Sequence, residues 1–341
     1  MQTFFLVVLF LFWLLFWSFS SVIIYRIKSK EWGILTGRSH CAICQKTLKA
    51  IDLIPLFSWL VNLWKCRYCK TKISKLYPIL ELSTWILFAL VGYFLIDYNL
   101  IFLWDYKEII KLIFWLAVAF ISIIYVFYDI LFFEISEKVL FSWVFLALFW
   151  VIIQTYTSID IFSNLSSWND LSLLEKNFSI LLLIAVIFWL YVIILKNLAE
   201  IFDIIILIFL FFLIYLFNWF FAINTSLAYF PAVSSVIAVI SIFTFFFLQI
   251  LISGWKWMWW WDLRIAIFIW ILLGSYLVLP AMMITYFVGS IIGIAFLIYQ
   301  KIKNSKKEIQ TQIPFGPFLA IWFFITIFFQ KEIINFISIY F

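Results

Sequence analysis

Four cysteines carry the first chemical signal in this chain. Cys41-Ala-Ile-Cys44 and Cys66-Arg-Tyr-Cys69 are two C-x-x-C pairs separated by 21 residues. Two residues between the thiols let both sulfurs of a pair turn onto one ion. Four such thiolates make a closed tetrahedral site, most naturally for zinc. Two disulfides or four free thiols are the competing readings. The loop around the cysteines is basic, which places it in the cytoplasm, where thiols stay reduced, and so favours the metal. A closed site of this kind organises a loop and by itself implies no reaction. His40, the only histidine, adjoins Cys41. With four thiolates at hand it reads as a loop residue rather than a fifth ligand.

Two carboxylates are the next signal. Asp129, in Tyr128-Asp129-Ile130, closes one apolar run, and Asp262, in Trp261-Asp262-Leu263-Arg264, opens another. A carboxylate at a membrane edge is costly and commonly functional, although a helix-end acid facing water is the plain alternative for either residue alone. Two carboxylates brought within a few Å cannot both ionise cheaply, so they share a proton. One then serves as general base for a water and the other as general acid for a leaving amine. A single histidine supports no Ser/His/Asp arrangement, and neither H-E-x-x-H nor a phosphate-binding glycine loop is present.

These residues must be positioned by membrane helices. Of 341 residues, 67% are hydrophobic and 12% charged, and the mean hydropathy is +1.17, outside the range of a soluble domain. Apolar runs of spanning length predict ten helices near 4–25, 77–96, 109–128, 131–153, 178–196, 201–222, 230–252, 263–280, 281–300 and 314–337. The expected fold is an all-α polytopic membrane protein with roughly 8–10 transmembrane helices and a cytoplasmic tetracysteine zinc loop. The first run lacks a basic leader and a small-residue cleavage site and reads as a retained helix.

Charge sets the expected orientation. Residues 26–75 hold eleven Lys and Arg against Glu31 and Asp52, whereas the whole chain is only +6. A second basic cluster, Lys301, Lys303, Lys306 and Lys307, follows the ninth run. Residues 155–175 carry Asp160, Asp170 and Glu175 and no Lys or Arg. Alternating helices that start outside put both basic segments and both aspartates on the cytoplasmic side and the acidic loop outside. Topology alone accounts for the basic loop, so no nucleic-acid partner is expected.

The motifs combine into a recognisable pattern. It starts with Ser18-Phe19 and Val22-Ile23-Ile24-Tyr25-Arg26, then Thr36-Gly37-Arg38-Ser39-His40-Cys41-x-x-Cys44 and Asp52-Leu53-Ile54-Pro55-Leu56-Phe57-Ser58-Trp59-Leu60. Cys66-Arg67-Tyr68-Cys69, Ile73-Ser74 and Tyr77-Pro78-Ile79-Leu80-Glu81-Leu82 continue it. Further matches are Asp129 with Ile135, Met258 with Asp262-Leu263-Arg264, and Ile313-Pro314-Phe315-Gly316-Pro317-Phe318-Leu319-Ala320. Over about 1–150 and 250–330 the chain resembles bacterial prepilin peptidases, membrane aspartic proteases of the GxGD class. The resemblance implies Asp129 and Asp262 as the catalytic pair. It implies as substrate a pilin-like precursor, cut at the cytoplasmic edge of the inner membrane between a short basic leader and a hydrophobic helix. It further implies N-methylation of the new N-terminus in many members, with S-adenosylmethionine as donor and the N-terminal cysteine-loop half as its seat.

Three departures accompany the resemblance. Ser136-Glu137 replaces the usual Pro-Asp after Ile135, so Glu134 and Glu137 read as solvated helix-edge acids. The two aspartates lie 133 residues apart, which places an inserted helical segment at about 155–250. Third, tryptophan stands where the family carries glycine, at Trp17, Trp64, Trp85, Trp257, Trp259, Trp261, Trp270 and Trp322. An interfacial aromatic belt is the ordinary reading of such a run, but an indole cannot replace glycine at a close approach. The chain has 8 Gly and 20 Trp, against a usual glycine share of about 7%. UGA codons that mean glycine in the source organism, translated here as tryptophan, account for both facts. True divergence to an inactive homologue is the alternative, and Trp59 matches a family tryptophan.

The sequence therefore reads as residues 1–98, an N-terminal region holding the first helix, the cysteine loop 26–76 and the second helix, followed by an aspartic peptidase membrane domain, 99–341. The expected partners are prepilins and the lipid bilayer, and the cofactors are structural zinc and S-adenosylmethionine. The other alternative is a polytopic transport or pilus-assembly protein, which would need neither aspartates at one depth nor a tetracysteine loop.

Overall fold

A computed structural model of the protein describes residues 2–29, 38–41, 43–53, 57–132, 134, 136–157, 173–196, 231–253, 260–303 and 316–340. These residues are helical apart from short turns, with two isolated β-bridges and no strand among them. They divide into two compact units, Met1–Val139 and Leu140–Phe341.

In the first unit α1 (Gln2–Ser29), α3 (Leu76–Leu95) and α5 (Tyr106–Phe132) pack mutually. Short α2 (Phe57–Val61) lies in the loop between α1 and α3, and short α4 (Tyr98–Phe102) precedes α5. Each start has a local cause. The Asp97 carboxylate accepts the Asn99 N–H at 2.9 Å ahead of α4, and Asp105 accepts the Lys107 N–H at 2.9 Å ahead of α5. Both satisfy an amide that the first turn leaves without an intrahelical partner. Along α5, Trp115, Val118, Ser122, Tyr125 and Asp129 are all buried at alternating three- and four-residue steps, which is one face of a helix. Between α1 and α3 the contact depends on Gly92: a Cβ there would lie 2.2 Å from Leu9 Cδ1. Close approach through a small residue is how helices associate where lipid removes the hydrophobic drive.

The second unit contains α7 (Leu173–Lys196), α8 (Pro231–Ser253), α9 (Trp260–Lys303), α10 (Gly316–Phe328) and α11 (Gln330–Tyr340). Helix α6 (Glu137–Thr157) begins at the division and runs into this unit. Helix α8 packs on α7 and α9, and α9 packs on α10 and α11.

Six described helices are long and apolar enough to cross a membrane, or seven if the pair α10 and α11, bent by 77°, is one span. The protein is a multi-pass α-helical membrane protein. The expected helix 201–222 lies outside the described residues. The expected helices 263–280 and 281–300 are two helices within the continuous segment α9, but they meet at a kink at Gly274 rather than near Pro280.

That interruption has a polar lining. Gly274 adopts φ 67° and ψ −179°, which glycine tolerates and L residues rarely do. The Ser275 N–H donates to Ser234 Oγ at 2.8 Å, and Ser235 Oγ donates to the Ile271 carbonyl at 2.7 Å. Serines of α8 thus serve backbone groups that a broken helix leaves open, as a helix break at membrane depth requires. A Cβ on residue 274 would lie 2.7 Å from Ser234 Oγ. Gly274→Ala should therefore cost about 1–3 kcal/mol, read as a lower Tm of the detergent-solubilised protein. Adding Ser234→Ala should restore only the steric part, because the positive φ remains; an unchanged Tm in the single variant would count against the break.

Candidate functional site

The cysteine loop is one hairpin built twice. The Gln45 N–H donates to the Cys41 carbonyl at 2.9 Å, and the Lys70 N–H donates to the Cys66 carbonyl at 3.0 Å. The Cys41 N–H reaches the Lys46 carbonyl at 3.0 Å, and the Cys66 N–H reaches that of Thr71 at 2.8 Å. Bridges His40–Thr47 and Lys65–Lys72 close the two at equivalent positions. Gln45 and Lys70, each following the second cysteine of its pair, take φ 56° and 58°. That left-handed turn swings the second thiol back beside the first.

The two hairpins face each other. All four Sγ atoms lie within 4.8 Å of one another, and Cys41 Sγ and Cys69 Sγ are 3.8 Å apart. Metal–sulfur bonds of about 2.3 Å at tetrahedral angles give sulfur–sulfur edges of ~3.8 Å, so the donor set fits zinc. None of the four is in a disulfide. His40 lies outside the cluster, edge-on to the Tyr25 ring at 6.2 Å.

The thiols are electrostatically unequal. Hydrogen bonds from the Thr71 hydroxyl and backbone amide hold Cys69 down to about 6. The Lys46 backbone amide favours the Cys44 thiolate too, but burial and the neighbouring Cys41 and Cys69 sulfurs outweigh it and push Cys44 up to about 11. Four thiolates share this volume only with a cation among them.

Asp52 ties the hairpins together. Its side chain, 6% exposed, pairs with Arg67 Nε at 3.1 Å and accepts the Lys49 N–H at 3.1 Å and the Tyr68 hydroxyl at 3.4 Å. Lys49 follows the first hairpin, whereas Arg67 and Tyr68 belong to the second. In the sequence Asp52 is one residue of the Asp52–Leu60 motif and carries no evident role. Its sequence signal is that it is one of only two acids, with Glu31, among the eleven cations of residues 26–75.

The carboxylates of interest lie elsewhere. Asp129, 6% exposed, ends the buried face of α5 one turn before Phe132. Just beyond it Glu134 pairs with Lys28 of α1, whose ammonium also sits 4.6 Å from the centre of the Phe132 ring. The C-terminal ends of α1 and α5 therefore meet, on the side of the first unit where the cysteine loop leaves α1 and enters α3. Asp262 belongs to the second unit, at the third residue of α9. Residues 254–259, with Trp257 and Trp259, lie outside the described residues. Glu137 is exposed in the first turn of α6. Of the tryptophans at expected glycine positions, Trp64 has φ 51°, Trp85 is exposed on α3, and Trp270 is buried in α9.

Residues 11–95 match the family model for the bacterial peptidase A24 N-terminal domain. The matched segment comprises most of α1, the twin-hairpin loop and α3. A leader peptide-processing enzyme for type 4 prepilin-like proteins from Escherichia coli is 53% identical over 55 residues, covering 16% of this chain and 20% of that one. Prepilin leader peptidase/N-methyltransferases from Vibrio cholerae and Bacillus subtilis are 35% and 43% identical, over 27% and 18% of this chain and 45% and 24% of theirs. Each match thus spans less than half of the relative. No solved structure matches the chain.

The purified protein should carry about one zinc per chain, and Cys44→Ser or Cys66→Ser should release it. Zinc uptake at pH 7 should displace at least one proton, from Cys44, and fewer than four, since Cys69 is already ionised. The buffer dependence of the binding enthalpy measures this number, and affinity should fall as acid protonates the thiols. Asp52→Ala should loosen the loop by about 1–3 kcal/mol and speed zinc loss to a chelator. Full zinc retention in both serine variants would remove the site.

Proposed function

We propose that the protein is an inner-membrane aspartic endopeptidase that removes the leader peptide from type IV prepilins or pilin-like precursors and methylates the new N-terminus. The observation that carries this reading is the tetracysteine A24 N-terminal domain, to which the names of the relatives add both activities. The proposed division assigns 1–98 to the cysteine-loop region and 99–341 to the peptidase, with 155–250 as an insertion. The cysteine loop and both aspartates are assigned to the cytoplasmic side.

In the proposed mechanism Asp129 and Asp262 share one proton. The ionised carboxylate takes a proton from a water, whose oxygen attacks the carbonyl carbon of the scissile peptide bond. As the C–N bond breaks, the protonated carboxyl supplies the proton that the leaving amine needs. Asp129 is buried on α5, where a carboxylate is shielded from bulk water. Cys41, Cys44, Cys66 and Cys69 would hold zinc, which would supply rigidity to the loop and take no part in cleavage.

Asp129→Asn or Asp262→Asn should each abolish cleavage of a prepilin, a loss of several orders of magnitude, while membrane insertion and zinc content stay intact. The assay requires glycine at 17, 64, 85, 257, 259, 261, 270 and 322, since indoles before Asp262 would fill the space of an extended substrate backbone. Robust processing by either Asn variant would sink the dyad. Failure of the glycine version itself would favour the inactive homologue.

A further inference from the structure

Five residues other than glycine hold a left-handed backbone among the described ones: Gln45, Leu63, Trp64, Lys70 and Trp104. Two of the five are tryptophan, although tryptophan makes up only 20 of 341 residues. A left-handed φ presses Cβ toward the following carbonyl oxygen, so it is uncommon for any L residue and an outlier for a bulky one. Gln45 and Lys70 make the turns that return the second thiol of each pair. Helix α2 ends with the Leu63 N–H on the Leu60 carbonyl at 3.0 Å and the Trp64 N–H on that of Trp59 at 2.8 Å. Trp64 then adds a second left-handed residue directly after Leu63, with φ 51°. Trp104 has no metal site beside it in the chain to account for its conformation.

Backbone bonds on both sides dictate the conformation at 104. The Trp104 N–H donates to the Ile101 carbonyl at 3.0 Å, and the Asp105 N–H donates to that of Leu100 at 3.1 Å. This pair of bonds ends α4 in the form whose left-handed residue is usually glycine. The Asp105 carboxylate then accepts the Lys107 N–H at 2.9 Å and starts α5. Asp105 therefore closes one helix with its amide and opens the next with its side chain, and φ 59° at 104 makes the turn between them. The Trp104 indole is 83% exposed, more than any other large apolar side chain among the described residues. An interfacial anchor explains that exposure but not the backbone, since an anchoring ring serves as well at a neighbouring position with ordinary φ.

We propose that residue 104 is a glycine in the natural protein, encoded by UGA, at a position that the family resemblance does not mark. The proposal rests on the recoding reading of the tryptophans and extends it by an independent criterion, the backbone. A UGA codon read as tryptophan puts an indole at a glycine position, whereas no such reading creates Gln, Leu or Lys. At Trp64 the motif comparison and the backbone agree on one residue, and at 104 the backbone stands alone. Because α5 carries Asp129, a glycine at 104 also relieves the turn from which that helix starts.

The gene and the peptides of the native protein decide it. UGA at codon 104, with glycine in the peptide that spans it by mass spectrometry, is the expected result. UGG at 104 with UGA at 64 overturns the proposal and leaves recoding confined to the positions the resemblance marks. UGG at both codons overturns it together with the recoding reading. Thermal unfolding of the full chain in detergent tests the physical cause separately. Trp104→Gly in the chain as written should raise Tm by about 2–4 °C, and Trp104→Ala should gain less, because alanine keeps the Cβ. A lower Tm in Trp104→Gly would show the indole to be an anchor and overturn the proposal.

Discussion

The first unit depends on a charge constraint. Four sulfurs within 4.8 Å tolerate full ionisation only around a cation, so the ion and the loop's conformation are one equilibrium. The loop is too short and too polar to hold a core of its own. An ion bound by the four sulfurs would instead join the two hairpins, which Asp52 braces from the side. Because the loop leaves α1 and enters α3, closing it also fixes the approach of those helices, which Gly92 then permits. Closure of the tetracysteine loop and helix packing are therefore mechanically linked.

That linkage explains the placement of the other polar groups. Arg26 and Glu81 are buried where α1 and α3 meet the loop, and Lys28 carries the junction to Glu134 beyond the end of α5. Asp129 lies one turn inside that junction, on the helix face that packs against its neighbours. Placing a carboxylate there costs desolvation energy that a water-facing position would avoid. The expense is consistent with a group kept for chemistry. The second unit solves a different problem. Its long helix is interrupted at Gly274, and two serines of α8 serve the exposed backbone, so an irregular segment persists inside an apolar bundle.

The sequence by itself determined the class of the protein and the ligand set. Apolar runs of spanning length leave little freedom in a bilayer, because only helices satisfy their own backbone there. The C-x-x-C spacing likewise determines its donors, since two intervening residues suffice to converge a pair of thiols. Tertiary structure alone decided what hydrogen bonding between distant residues controls. The equivalence of the two hairpins is carried by backbone bonds whose residue types differ. The bracing role of Asp52 depends on Lys49, Arg67 and Tyr68 converging in space, and the break at Gly274 depends on serines some forty positions earlier. Periodicity reports which face of a helix is apolar, whereas pairing of polar groups far apart in the chain leaves no period to read.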